Sequence, residues 1–219
     1  MEAQPFSIGE ALSFGWGVVK KNIGFFILLM IVVYAVSYLP SVFGVFIAEE
    51  SMFLYMLISI AGTILGFIIS IGFMHITIKF ADGQQGGWND LFARANLWWK
   101  FLLGSLLYGL IVMAGMILLI IPGIIWAIKY SQMFYIIVDK QIGPLEALKQ
   151  SGQMTAGVKG SLFLFWIVAG LVNLLGFLLF LVGSFVTVPI TYVAMAHVYR
   201  KLSQRVIPMA SPTNPPAAV

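Results

Sequence analysis

The sequence contains no cysteine, only two histidines and few charged residues. Without cysteine the chain can form neither a disulfide nor a thiolate metal site, and the redox state of its compartment is left open. Charged residues make up 9% of the 219 positions, whereas a typical soluble domain carries about 25%. Its 61% hydrophobic residues are too many for the remaining polar residues to cover. The composition therefore excludes a soluble domain and predicts an integral membrane protein.

Long apolar runs predict an all-α fold with six transmembrane helices, arranged as three helical hairpins. About 20 apolar residues cross a hydrocarbon core of about 30 Å. The alternative to a hairpin turn at Pro122 and Gly123 is a kink in one long helix. A hairpin is favoured because one helix from Phe101 to Val138 would be about 57 Å long. The predicted spans are 23–46, 53–78, 101–121, 123–138, 161–181 and 183–199. We expect no cleaved signal peptide, because about twenty mostly amphipathic residues precede the first run.

The basic residues predict the orientation of these spans. With both termini in the cytoplasm, all Lys and Arg residues except Lys129 lie on the cytoplasmic side, as the positive-inside rule requires. The outer turns contain no basic residue, and the first carries Glu49 and Glu50. The net charge of +4 is therefore explained as a topology signal of a multi-pass protein of the cytoplasmic membrane. The cytoplasmic set is Lys20, Lys21, Lys79, Arg94, Lys100, Lys140, Lys149, Lys159, Arg200, Lys201 and Arg205.

A short segment before each hairpin repeats one pattern. Starting at Ser7, Gly87 and Gly143, the sequences SIGEAL, GWNDLF and GPLEAL place an acid three residues after a candidate N-cap. The pattern predicts amphipathic helices at 7–20, 87–99 and 143–155, lying on the cytoplasmic surface of the membrane. The three units point the same way, so the chain is a parallel internal repeat. The predicted interfacial anchors are Trp16, Lys20, Lys21, Trp88, Trp98, Trp99 and Lys100.

Residues 1–208 are predicted to form a single transmembrane domain. The stripe Gly62, Gly66 and Ser70 offers a small-residue face for close helix packing. The residues after Pro208 are small, polar and rich in proline, so 209–219 are predicted to be a disordered tail.

Several of these motifs resemble a known family. The run IPGI at 121–124, Lys129 in the following span, Asp139 at its inner end and GPLEALKQS from Gly143 are similar to a bacterial and archaeal six-helix group. That group is related to the membrane domain found with some glycerophosphodiester phosphodiesterases. The resemblance covers most of the chain, is sharpest over about 121–200, and implies a six-helix fold. The spans leave no room for the phosphodiesterase barrel, so we do not expect that activity.

The sequence offers few groups for catalysis. Neither His75 nor His197 has a second ligand at the helical spacings i+3 or i+4, so no metal and no cofactor is expected. No glycine-rich phosphate loop and no serine-centred elbow is present. None of the eight acids falls within a span, and the polar residues there form no obvious track. An enzyme is therefore not expected. The scattered polar positions are Thr63, Ser70, Gln132, Asn173, Thr187 and Tyr192.

Lys129 is the basic residue that the topology does not explain. It lies seven residues after Pro122, or about 10 Å along a helix. A cation at this depth costs roughly 2.5–3.5 kcal/mol on insertion scales. In one explanation its stem snorkels to the outer headgroups. In the other it faces a cavity beside Tyr130 or Gln132 and binds an anion, which would be a lipid phosphate or another amphiphile's headgroup.

The sequence thus predicts a non-enzymatic membrane protein that binds, senses or organises anionic lipid or a lipid-like ligand at Lys129, Tyr130 and Gln132. The alternative is a small transporter or an accessory subunit of an export system, with a path between the three hairpins. The expected partners are membrane lipids, especially anionic ones, and, for an accessory subunit, a protein in the membrane. Nucleic acid is not an expected partner.

Overall fold

The computed structural model describes residues 6–48, 51–179 and 182–206, and within these ranges the chain is all-helical, as predicted. The turn at Glu49 and Glu50 and the predicted tail 209–219 lie outside the described residues. The helices are α1 (Ile8–Lys21), α2 (Ile23–Ala48), α3 (Met52–Ala81), two 3₁₀ helices (Trp88–Leu91 and Ala95–Leu97), α4 (Trp98–Leu118), α5 (Ile120–Lys129), α6 (Met133–Lys140), α7 (Pro144–Met154), α8 (Lys159–Leu178) and α9 (Ser184–Val206).

Five helical segments in the described part are long and apolar enough to cross a membrane. The chain is therefore a multi-pass membrane protein. α9, which contains the sixth predicted span, is not among them; its last two turns carry Arg200, Lys201 and Arg205. The five segments are Ile23–Gly44, Met52–Ala81, Trp88–Leu118, Ile120–Lys140 and Lys159–Leu178.

α9 lies at the centre of the bundle and contacts α1, α2, α3, α7 and α8. A helix that is surrounded by protein needs no continuous apolar surface, because it does not face lipid. This position explains why α9 is less apolar than its neighbours α2, α3 and α8. Its buried residues include Ile190, Thr191, Val193, Ala194, Met195, Ala196, Val198, Tyr199 and Leu202.

The chain folds back between Phe101 and Val138, as predicted, but the turn lies at Leu119 and not at Pro122-Gly123. Leu119 has an extended backbone (φ −165°, ψ 150°) between α4 and α5. Pro122 lies in the first turn of α5, where the backbone N–H groups have no intrahelical acceptor, so proline is tolerated there. A Cβ at Gly115 would lie 2.8 Å from the Cα of Gly123, and this close approach holds α4 against α5.

The predicted span 123–138 is interrupted: α5 ends at Lys129 and α6 begins at Met133. In the intervening turn the Ser131 hydroxyl donates to the carbonyl of Ile128 (2.8 Å). Serine side chains that bond nearby carbonyls compete with the helical pattern. The α-helix is therefore interrupted within the predicted fourth span, although Ile120–Lys140 as a whole is long and apolar enough to cross a membrane.

The prediction of one amphipathic helix over 87–99 is also wrong, because two short 3₁₀ helices occupy this stretch. The Asp90 carboxylate accepts the backbone N–H of Gly87 (2.7 Å) and the Lys79 ammonium (2.8 Å), which fixes a tight turn beside α3. At Gly72 of α3 a Cβ would overlap the Leu91 backbone, so the segment lies directly on α3.

α1 and α7 are helical where predicted, within a residue or two. The apolar stripe of α1 packs into protein: Ala11, Gly15 and Val19 are buried, and Gly15 lies against Ile190 and Ala194 of α9. This stripe therefore contacts α9 and not the headgroup layer.

The small-residue stripe on α3 packs at one of its three positions. A Cβ at Gly62 would lie 2.6 Å from Pro40 of α2, whereas one at Gly66 would have no atom within 4 Å. Ser70 is exposed and lines cavities. The predicted close packing therefore holds at Gly62, and the stripe continues into a groove.

The contact between α1 and α9 predicts a difference between two glycines of α1. Gly15→Ala should lower the free energy of unfolding by about 1–3 kcal/mol, because the added methyl overlaps the Ile190 carbonyl oxygen. Gly17→Ala is the matched control: its Cβ would meet no atom within 4 Å, so stability should stay equal or rise by up to about 1 kcal/mol. Thermal unfolding in one detergent measures both, and equal destabilisation would contradict this packing.

Candidate functional site

Lys129 lies at the end of α5 against α7. Its backbone carbonyl accepts hydrogen bonds from the Ser151 hydroxyl (3.0 Å) and the Thr155 hydroxyl (2.9 Å). A Cβ at Gly152 would lie 3.2 Å from the Lys129 Cε, so the side-chain stem packs on the bare backbone of α7. The stem thus extends along α7.

The Lys129 ammonium lies over the ring of Tyr130, 4.9 Å from its centroid. A cation in this position gains about 0.5–1 kcal/mol at an exposed site. The side chain is half-buried, and it forms no salt bridge with any residue that the structure describes. The positive charge is therefore open to an external anion.

An apolar groove of about 340 Å³ begins at the same tyrosine. It lies between α4 and α5, and its walls are Leu110, Ile111, Ala114 and Trp126. The groove has aliphatic and aromatic walls and shares Tyr130 with the nearby ammonium, an arrangement that fits an amphiphile better than a free ion.

Gln132, the third residue predicted at this site, has a different environment. Its side chain is fully buried, and its amide donates to the Ser131 hydroxyl (3.3 Å) and to the Met195 sulfur (3.4 Å) of α9. The structure thus brings Lys129 and Tyr130 together and places Gln132 in the core.

The predicted anchors differ in their exposure. Trp16, Trp88 and Trp99 are nearly half exposed, whereas Trp98 packs against the core. Lys20 and Lys21 are exposed at the end of α1. The Lys100 ammonium donates to the Gln141 carbonyl (2.6 Å), which ties the start of α4 to the end of α6.

Arg200 forms a cluster that the sequence reasoning missed. Its guanidinium binds Asp82 through two hydrogen bonds of 2.6 Å, and Asp139 through two of 2.5 and 3.0 Å. The Tyr199 hydroxyl donates to Asp139 as well (2.6 Å). One arginine of α9 thus holds the ends of α3 and α6. No spacing in the sequence could have shown this, because the partners lie 118 and 61 residues away.

Both histidines face an acid. His75 Nε2 lies 3.9 Å from Asp90, which also binds Lys79. His197 stacks on Phe14 (4.4 Å between centroids), and its Nε2 lies 3.6 Å from Glu10. On both α3 and α9 a lysine follows the histidine by four positions, so that both face the same acid. This spacing was a sequence signal for the two clusters.

Glu10 also binds Lys201, with 3.0 Å between the carboxylate and the ammonium. This hydrogen bond and the charge of Lys201 hold the pKa of Glu10 below its usual value. Among the described residues no group of three His, Asp or Glu side chains could hold a metal ion.

The Arg200 cluster predicts that lysine cannot replace this arginine. Arg200→Lys should lower the free energy of unfolding by about 1–3 kcal/mol, between the values for exposed and for buried ion pairs, because an ammonium lacks the planar fork. Arg205→Lys is the matched control, since Arg205 is exposed near the end of the same helix. Equal melting temperatures for the two variants would contradict a structural role of the cluster.

Comparisons with known proteins give distant relatives. No protein-family model matches the chain, and no solved structure matches it. The chain is 24% identical over 233 aligned residues to an uncharacterized protein of Mycobacterium bovis and to two uncharacterized proteins of Mycobacterium tuberculosis. These alignments cover 93% of this chain and 70% of each relative. The resemblance to the six-helix group with the phosphodiesterase-linked membrane domain stays a prediction.

Proposed function

We propose that this chain is a non-enzymatic protein of the cytoplasmic membrane that binds, and thereby senses or organises, an anionic lipid or lipid-like amphiphile. The observation that carries the proposal is the position of Lys129. A half-buried ammonium without a protein anion in the described residues lies over Tyr130, and the same tyrosine lines an apolar groove. The phosphate of the lipid would bind Lys129, and an acyl chain would lie along Leu110, Ala114 and Trp126.

The proposed topology has six spans in three hairpins, with both termini in the cytoplasm. Contacts of basic residues at one end of the bundle support it: Lys79 binds Asp90, Arg200 binds Asp82 and Asp139, and Lys201 binds Glu10. This end would face the cytoplasm, where anionic lipids attract basic residues. In this orientation Lys129, beside α7, serves the inner leaflet.

The three segments that precede the hairpins would be parallel repeats, each held by the last helix of the preceding hairpin. Asp90 is bound by Lys79 of α3, and Glu146 is linked through Gln150 to Lys140 of α6. Glu10 is bound by Lys201 of α9, so the third hairpin holds the first segment and closes a ring. The recurrence of an acid and a lysine at all three junctions supports the repeat.

Transport is the second candidate function, and three cavities support it. A groove of about 590 Å³ between α2 and α3 shares Ser70 with a central cavity of about 390 Å³. The central cavity shares Met74, Phe134 and Tyr192 with a third cavity of about 240 Å³. Their succession offers a path between the hairpins. In an accessory subunit, a partner protein would cover this path.

The topology predicts the accessibility of single cysteines, which the natural chain lacks. In intact cells a membrane-impermeant maleimide should label Ser51→Cys, before α3, and spare Ser13→Cys, on α1. Ser13→Cys should be labelled only after the membrane is permeabilised. Labelling of Ser13→Cys alone in intact cells would mean the opposite orientation, and labelling of both would contradict three hairpins.

The lipid site predicts a loss of anionic lipid from Lys129→Met. One charge-assisted hydrogen bond contributes about 1.5–3 kcal/mol, so retention of phosphatidylglycerol in native mass spectrometry should fall about tenfold or more. Retention of phosphatidylcholine should change less. Lys149→Met is the matched control, because it removes the same charge from an exposed position on α7.

A second pair of variants tests the groove. Ala114→Trp should fill it and reduce lipid retention, whereas Gly109→Trp, on the same helix with no atom within 4 Å of its Cβ position, should not. Unchanged lipid retention in Lys129→Met, together with lost solute flux in vesicles, would reject lipid binding in favour of transport.

A further inference from the structure

The cavity of about 240 Å³ that ends the series described above is separate from the Lys129 groove and lies between α3, α6, α8 and α9. Its volume is below the roughly 300–1,000 Å³ of sites that enclose a drug-sized ligand. The cavity is too small to enclose a whole drug-sized ligand, but it is large enough for one end of a single-chain molecule. No charged residue lines it, so an ion would enter at a high desolvation cost.

The cavity has an opening at the outer face of α8, toward the bilayer. Gly170 and Trp166 line it and are exposed on the outer face of α8. A Cβ at Gly170 would meet no atom within 4 Å, so this glycine leaves a window. The exposed neighbours Ile167, Leu171 and Leu174 are apolar, so the window faces lipid and not water. A ligand would enter sideways from the membrane.

The wall carries the polar residues Ser131, Tyr135, Asn173, Thr191 and Tyr192, and the Tyr135 hydroxyl donates to the Tyr192 carbonyl (3.2 Å). The Asn173 amide donates to the Thr191 hydroxyl (3.1 Å), so these two side chains satisfy each other. The Gln132 amide, behind Ser131 and Met195 of the wall, donates to both of them. Its carbonyl oxygen Oε1, however, is buried without a hydrogen-bond partner.

A buried acceptor without a donor costs roughly 1–3 kcal/mol. Met195, whose unbranched thioether adapts easily, separates this amide from the cavity. A ligand hydroxyl that enters beside Ser131 would supply the missing donor. A carboxylate or phosphate would not, because Oε1 is itself an acceptor.

We propose that this cavity binds an uncharged single-chain amphiphile whose polar end is a hydroxyl group. The chain leaves through the window at Gly170, and the hydroxyl donates to Gln132 Oε1. The site goes beyond the proposed anionic-lipid function, because it takes the opposite class of headgroup and shares no residue with the Lys129 groove.

The test is photolabelling of the full chain in phosphatidylcholine vesicles with a long-chain alcohol that carries a diazirine in its tail. Wild type should be labelled within 166–173 or at Met195. Competition by unlabelled 1-dodecanol should be at least about tenfold stronger than by n-dodecane or dodecanoate. Gln132→Leu should keep the labelling and remove this preference for the alcohol.

Two further variants test the cavity itself. Ala169→Phe should fill it and reduce labelling about fivefold or more, whereas Ala61→Phe, the same change at an exposed position of α3, should not. Gly170→Leu adds a side chain at the opening, where it meets no neighbouring atom, and should also reduce labelling. This second variant tests the cavity even if Ala169→Phe fails to fold.

Other outcomes would overturn the proposal. Alkane that competes as well as alcohol in wild type would mean that no hydroxyl subsite exists. Labelling of Ala169→Phe and Gly170→Leu at the wild-type level would mean that the probe binds elsewhere. Lys129→Met should leave the alcohol labelling unchanged even where it removes phosphatidylglycerol, so failure of the anionic site and failure of this one are distinguishable.

Discussion

The packing of α9 in the interior of the bundle is the constraint on which the rest of the structure depends. In a bilayer the outer helices can face lipid at no cost, so apolar surface alone does not assemble them. Close approach does: Gly15 of α1 lies against α9, and Gly176 of α8 lies against Thr187. α9 also carries Tyr199 and Arg200, whose hydrogen bonds hold α6 and α3. One helix therefore positions helices from both ends of the chain.

The ion pairs of the bundle lie at the ends of helices, beyond the residues that pack closely against α9. Arg200, Lys201 and Lys79 each hold an acid from another segment, and all of these side chains keep part of their surface exposed. At such positions ion pairs contribute modestly to stability but strongly to geometry, because each fixes one pair of helix ends. Lys129 differs from them, since its neighbours are a tyrosine ring and the backbone of α7. This difference makes it the best candidate for an external anion.

The two proposed sites would bind two different classes of membrane amphiphile, one anionic and one uncharged. Beside the first groove Lys129 offers a cation to a headgroup, whereas the other cavity is lined by no charged residue and has the unpaired acceptor of Gln132 behind its wall. Both would be reached from the bilayer, because α4, α5 and α8 carry exposed apolar residues. A protein with two such sites would respond to the composition of the membrane around it, which agrees with a sensing or organising role.

The sequence by itself determined the solvent of this protein and the position of five apolar runs that are long enough to cross a membrane. Composition and run length depend on hydrophobicity alone, so both followed from counting. Ser7 and Pro144 marked the starts of α1 and α7 because capping is local.

Local rules also explain the errors: Pro122 started a helix instead of ending one, and the hydrogen bonds of Asp90 replaced a predicted helix by a tight turn. Lys129 and Tyr130 could be proposed from the sequence because a lysine in an apolar run is costly wherever it lies. Only the tertiary structure decided which acid meets Arg200, where Gln132 points and which helix is central, because these depend on contacts between residues 60 to 190 positions apart.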